Sequence, residues 1–297
     1  MKKWGLRIFV LSFILIIAGL GLTLHVLLPK LIVNTQQTKA TAQKIRLPAS
    51  YGANDVYITT LDSLKLAANL SLATGNVRGT IILLHGIRGY KEHFIPLAQY
   101  LNENGYNTLA LDLRAHGNSE GSYCTYGFYE KKDIASCVDF LLARPKADSN
   151  IGVWGQSLGG AIALQAMAYD SRIKFGIIES TFSNLNTIVS DYSERMFGFN
   201  IPWVSKYALS RAGVMADFKP NEVSPGTSAK RITQPVLVAH GTADKHISYD
   251  YGKQNFDHLS SVQKVFLPVD GAAHQNLWQV GGTFYFDAID QFLSSLP

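Results

Sequence analysis

The chain has 297 residues, 47% of them hydrophobic and 16% charged, with a formal net charge of +5. Such a length and apolar content suit one large globular domain or two small ones. The basic excess is not a nucleic-acid surface: residues 1–54 hold seven cations and no Asp or Glu, which leaves 20 basic against 22 acidic residues in the remainder, a near-neutral body with no electrostatic footprint for a polyanion.

The first element in chain order is Ile8 to Leu28, "IFVLSFILIIAGLGLTLHVLL", 21 residues without a formal charge. As a helix it would extend about 31 Å, enough to cross a hydrocarbon layer of about 30 Å. A cleaved signal peptide carries a shorter apolar region of about 7–15 residues, and Ala40-Thr41-Ala42, which has the spacing of a cleavage site, lies well beyond it. Residues 1–29 are therefore read as an uncleaved transmembrane anchor, with His25 an interfacial passenger. Residues 30–54, rich in Thr, Gln and Lys, are read as a polar, basic tether able to touch anionic headgroups. Cations flank both ends of the span almost equally, and the short basic leader of a signal anchor places residues 30–297 outside the cytoplasm.

From residue 55 onward short β-like runs alternate with longer helical ones. Strands are expected at 55–60, 64–72, 80–85 ("TIILLH"), 107–112 ("NTLALD"), 150–155 ("NIGVWG"), 174–180 ("KFGIIES"), 235–241 ("PVLVAHG") and 264–269 ("KVFLPV"). Helices are expected near 92–104, 130–143, 158–169 and 284–293. Continuous apolar strands between helices predict a mostly parallel sheet covered on both faces, with reactive groups gathered at the carboxyl ends of the strands. The long departure from this rhythm, about 183–233, carries Tyr192, Phe197, Phe199, Trp203 and Tyr207 and is read as a small helical cap. Cys137 shares a helical face with Ile134, Val138 and Leu141, the pattern of a core residue. A disulfide between Cys124 and Cys137 is geometrically conceivable.

The stretch "NIGVWGQSLGGAIALQAM" (150–167) places Gly155-Gln156-Ser157-Leu158-Gly159 between an expected strand and an expected helix. That context makes the pentapeptide a nucleophile elbow, in which a tight turn between glycines holds a serine hydroxyl at the sheet's rim. The following helix brings positive dipole near a developing oxyanion. An unassisted serine is a poor nucleophile and needs a base held by an acid. Asp244, in "GTADKHIS", and His274, in "DGAAHQNLW", each follow the carboxyl end of an expected strand, so all three converge on one rim. Glu179, at the end of "KFGIIES", is the alternative acid, whereas Asp270 is expected to tie down its own loop. Of the other histidines, His85 and His240 are read as structural, His116 as part of a loop shaped by Asp112 and Arg114, His246 as lying on the wrong element for the base, and His93 and His258 as surface residues. No Cys/His spacing suits zinc, and no cofactor or metal is expected.

Residues from about 55 to 297 resemble the α/β-hydrolase family throughout, in His85-Gly86 after the third strand, "DLRAHGNSEG" after the fourth, the Gly155–Gly159 elbow, "HGTADKHIS" and "DGAAH". They look most like the small-capped serine hydrolases with a single membrane anchor. The resemblance implies the α/β-hydrolase fold: a mostly parallel eight-stranded sheet with helices on both faces and a small cap over 183–233, here preceded by one transmembrane helix. It implies Ser157 as nucleophile, His274 as base and then acid, Asp244 as orienting acid, and the backbone N–H groups of Leu158 and Ile87 as the oxyanion hole. "HGIRG" stands here where lipases carry three glycines in a row.

These readings lead to a serine hydrolase working through an acyl-enzyme, with a carboxylic ester, lipid-like or small, as substrate. A thioesterase and a serine peptidase are rivals on the same three residues, and an inactive membrane-tethered scaffold is the rival from another class. The membrane, through the N-terminal helix, is the expected partner, and no nucleic acid is. Oligomeric state is left open.

Overall fold

The computed structural model describes residues 2–35, 52–144, 149–199 and 201–297. Its strands are β1 (Asn54–Thr59), β2 (Lys65–Ser71), β3 (Gly79–Leu84), β4 (Tyr106–Leu111), β5 (Ile151–Gln156), β6 (Ile173–Glu179), β7 (Val236–Gly241) and β8 (Lys264–Val269). They form one eight-stranded sheet in the order β1-β2-β4-β3-β5-β6-β7-β8. β1 and β2 run antiparallel to their neighbours and the other pairs are parallel. Each strand lies within about two residues of its expected place.

Alternation along the central strands fills two cores. In β3, Ile82 and Leu84 pack on one face with Leu109, Val153 and residues of α4 (Glu130–Leu142) and α5 (Leu158–Tyr169), whereas Ile81 and Leu83 pack on the other with α3 (Ile95–Glu103). Every residue of β3 is buried, which is why its sequence reads as an unbroken apolar run instead of an alternating one. Burying each such Leu or Ile stabilises the fold by about 1.5–3 kcal/mol. Trp154 sits wholly inside the second core, against Trp278. Cys124 and Cys137 are both buried and unbridged.

Between β6 and β7 lie α6 (Leu185–Phe197), α7 (Pro202–Met215) and the short α8 (Pro225–Ala229), in the segment expected to form the cap. Two further elements depart from expectation. α9 (Tyr249–His258) arises from "YDYGKQNFDH", a mostly polar run that fully buries only Gly252 and Asn255 while Tyr251 and Phe256 pack partly buried against the core; Ser248 caps its N-terminus by accepting a hydrogen bond from the Asp250 N–H. α10 (Leu277–Ser294) begins well before the expected Phe284 and bends at Gly282, whose φ of 49° and ψ of −133° interrupt the helix.

At the N-terminus α1 (Lys2–Leu22), a π-helical turn (Thr23–Leu27) and α2 (Leu28–Val33) run on as one helix. Residues Trp4–Val33 are long and apolar enough to cross a membrane by length and composition. Of the tether expected over residues 30–54, residues 30–33 are still helical, and Val33 and Thr35 are buried in the folded body, Val33 within the core. The rest of that expectation, residues 36–51 with Ala40-Thr41-Ala42, lies outside the described residues.

Candidate active site

Ser157 sits where β5 ends and α5 begins, with φ 56° and ψ −115°, a conformation that costs a non-glycine residue about 1–3 kcal/mol. The surroundings hold it there. Its N–H donates to Glu179 O at 2.8 Å, and its carbonyl accepts from Thr181 Oγ1 at 2.7 Å. The flanking glycines are required by space: a Cβ at Gly159 would fall 1.9 Å from Leu84 O, and one at Gly155 2.2 Å from Gly159 O. The turn therefore closes only with glycine at both positions, and it lifts the Ser157 side chain off the end of the sheet.

Two loops meet that hydroxyl. The loop after β8 brings His274 Nε2 to 2.9 Å from Ser157 Oγ, steadied by Asn276 Oδ1, which accepts from the Ala273 N–H at 2.7 Å. The loop after β7 brings Asp244 Oδ2 to 2.7 Å from His274 Nδ1. Asp244 Oδ1 accepts from the N–H groups of His246 and Ile247 at 2.8 and 3.0 Å, which fixes the carboxylate's orientation. Burial pushes the Asp244 carboxyl up. Hydrogen bonds from His240 and His274, the charge on His274 and the Ile247 N–H outweigh it and hold the group well below the usual carboxylate range. An acid kept ionised in this way presents a permanent negative charge to the imidazole. The serine hydroxyl can donate to Nε2 while Nδ1–H donates to the carboxylate, the arrangement needed to draw a proton from an alcohol.

Leu158 is the first residue of α5, so its N–H has no acceptor within the helix. The strand β3 is followed by His85-Gly86-Ile87, and a Cβ at Gly86 would stand 3.3 Å from Ser157 Cβ, so this loop passes directly against the serine. Ile87 and Leu158 line the same cavity as Ser157.

The other weighed residues lie elsewhere. Glu179 is wholly buried and accepts from Trp154 Nε1 at 2.7 Å, Trp278 Nε1 at 2.8 Å, Gln156 Nε2 at 3.3 Å and Tyr285 OH. Burial raises its pKa, and the four donors offset only part of that rise. It joins β5, β6 and α10 through these bonds and has no bond to His274 among the contacts of the described residues. Asp270 accepts from Thr242 Oγ1 at 3.0 Å. Asp112 accepts from the N–H groups of Lys91 and Asn118, and Arg114 grips Asp133 with two nitrogens at 2.6 and 2.7 Å. His85 and His116 stack edge to face at 5.0 Å, and burial lowers both pKa values. His258 Nδ1 bonds Gly226 O. Two histidines stand closer to Asp244 and His274 than their sequence contexts indicate. His240 Nε2 is 3.4 Å from Asp244 Oδ2, and the His246 ring lies 5.5 Å from that of His274.

Ser157 opens into a cavity of about 450 Å³, lined mainly by apolar groups of the segment between β6 and β7, among them Phe182, Leu185 and Ile188. Leu28, Leu31 and Ile32, from the N-terminal helix, complete its lining. Sequence reasoning did not connect that helix to the site, because nothing in a uniformly apolar run marks one turn of it for a pocket.

A family model described as the alpha/beta hydrolase fold matches residues 79–218. The protein YqkD of Bacillus subtilis is 25% identical over 232 residues, which cover 76% of this chain and 74% of that protein. The thiohydrolase aneE of Aspergillus aculeatus is 36% identical over 138 residues, 43% of each chain, so the match spans less than half of that relative. The solved esterase Pf2001 of Pyrococcus furiosus has a TM-score of 0.69 at 24% identity, over 83% of this chain and 92% of its own. The chain thus has the α/β-hydrolase fold, and a family model of that fold matches its residues 79–218.

Proposed function

We propose that the protein is a serine-dependent ester hydrolase held to a membrane by its N-terminal helix. Ser157 attacks the carbonyl carbon of the ester while His274 Nε2 takes its proton, and the tetrahedral oxyanion is received by the N–H groups of Leu158 and Ile87. His274 then protonates the departing alkoxide, leaving an acyl group on Ser157 Oγ. In the second half His274 activates water, which releases the carboxylate and restores the serine. Asp244 holds the imidazole in the required tautomer and balances the positive charge it gains. Each oxyanion donor contributes on the order of 10²–10³ in rate. The observation that carries the reading is the unbroken relay from Ser157 Oγ to His274 at 2.9 Å and on to Asp244 at 2.7 Å, set on a strained turn.

The predominantly apolar cavity next to Ser157 favours an acyl group over a peptide chain as the bound part of the substrate. A second reading, hydrolysis of a thioester, is favoured by the aneE relative, a thiohydrolase; the same three residues serve, with a thiolate leaving. The catalytic domain lies on the extracytoplasmic side in this proposal, on the strength of the short basic leader.

The test is labelling by a fluorophosphonate, with Ser157→Ala as control, followed by turnover on p-nitrophenyl esters from acetyl to palmitoyl and on the matching thioesters. Labelling lost in Ser157→Ala, together with ester turnover, supports the proposal. No labelling of folded protein would leave an inactive scaffold, and amide cleavage without ester cleavage would leave a peptidase.

A further inference from the structure

The cavity beside Ser157 has one wall that the hydrolase domain does not supply. Its volume, about 450 Å³, falls in the range of roughly 300–1,000 Å³ found for small-molecule sites. Phe182 and Leu185 line it from the body and the cap, whereas Leu28, Leu31 and Ile32 line it from α2. This wall is fastened in place. Ile32 O accepts from Tyr126 OH at 2.6 Å, Val33 O accepts from the Cys124 N–H at 2.9 Å, and Thr35 Oγ1 donates to Ala115 O at 2.8 Å. One turn of helix earlier, His25 Nδ1 meets Tyr207 OH of α7 at 2.7 Å.

Upstream of the docked end, the helix stands free of the body, with Trp4 to Leu22 exposed. Its 30 residues span about 45 Å, longer than a hydrocarbon layer of about 30 Å, so the docked turns fall where the helix leaves the apolar layer. The cap presents exposed Met196, Phe197, Phe199 and Ile201 around the same cavity, with exposed Trp203 beside them. A rim of this kind, continuous with an apolar helix, suits the boundary between headgroups and acyl chains. A tail already in a bilayer exchanges one apolar surrounding for another on entering such a site, so no desolvation barrier opposes its passage along the helix.

We propose that α2 is a working wall of the acyl site and that the substrate is a long-chain acyl ester taken laterally from a bilayer. Its tail lies between Leu31 and the cap, and its carbonyl lies at Ser157. The proposal rests on the ester-hydrolase reading of Ser157 and deepens it by naming the substrate class.

The experiment uses the full chain in phosphatidylcholine vesicles and compares kcat/KM for palmitoyl and butyryl p-nitrophenyl esters. Leu31 is 55% exposed, so Leu31→Trp narrows the cavity with little burden on the core. The palmitoyl-to-butyryl ratio is expected to fall at least tenfold in Leu31→Trp and about threefold in Leu31→Ala; an unchanged ratio in both overturns the proposal. A diazirine-bearing palmitate, crosslinked to the Ser157→Ala chain in the same vesicles, tests the wall without chemistry. Adducts around Phe182 and Leu185 that Leu31→Trp suppresses are expected, and adducts confined to the N-terminal helix overturn the proposal. If those adducts appear but no ester is cleaved, the ester reading falls and the acyl site stands. Ser157-dependent cleavage with an unmoved ratio does the reverse.

Discussion

His240 Nε2 stands 3.4 Å from the Asp244 oxygen that His274 Nδ1 meets at 2.7 Å, and also donates to Ile247 O at 3.0 Å. The acid is thus gripped from both sides, with two further N–H donors on its other oxygen. Asp244→Asn keeps the shape of this cage but presents an amide to Nδ1–H. Turnover is expected to fall on the order of 10³–10⁴-fold, read as kcat on any ester the wild type cleaves.

The same group sets a pH dependence. The folded pKa of Asp244 is lowered from its ordinary value of 3.8, so its ionised form stabilises the fold fully above about pH 4, and that contribution is lost as pH falls through the folded value. The difference in urea midpoint between wild type and Asp244→Asn is expected to be constant from pH 7 to about 5 and to shrink below about 4. A difference that grew in acid would contradict this account.

Ser157 trades stability for position. Ser157→Ala is expected to lower kcat by about 10⁴-fold or more with the fold intact. Ser157→Gly is equally inactive but releases the backbone at φ 56°, and its thermal midpoint is expected to exceed that of Ser157→Ala by the equivalent of about 1 kcal/mol. Equal midpoints would mean that the turn stores no strain.

Glu179 separates a structural carboxylate from a catalytic one. Glu179→Ala strands the donors of Trp154, Trp278 and Tyr285 in a buried site, and each unpaired group costs about 1–3 kcal/mol. A large drop in urea midpoint, or failure to fold, is expected. Glu179→Gln keeps an acceptor and should retain turnover within about tenfold of wild type. A 10³-fold loss in folded Glu179→Gln would instead make Glu179 the orienting acid.

Val33 reports whether the N-terminal helix belongs to the folded body. It is fully buried in the core, so Val33→Ala is expected to cost about 2 kcal/mol, seen as a lower thermal midpoint of the full chain. No change would mean that the helix end does not dock.

Much of this architecture was legible because local patterns carried it. β3 and β5 read as buried strands from unbroken apolar runs, and the Gly155–Gly159 turn declared itself through glycines that no other residue can replace beside Leu84. α9 left a fainter trace, since its ten residues are mostly polar and fully bury only Gly252 and Asn255, with Tyr251 and Phe256 only partly buried against the core. The sequence favoured Asp244 over Glu179 only through its place in the loop after an expected strand and the family resemblance, because Glu179 ends a strand at the same rim; the 2.7 Å contact of Asp244 with His274 belongs to the tertiary structure.

The sequence alone determined the alternation of strand and helix, the strained serine and an apolar N-terminal run long enough to span a bilayer, since each depends on residues adjacent in the chain. Only the tertiary structure decided which carboxylate faces His274 and that Leu28, Leu31 and Ile32 close the cavity at Ser157. Those relations join residues 30 or more positions apart in the chain or pick one face of a uniform helix, and packing distances between side chains, not local propensity, fix them.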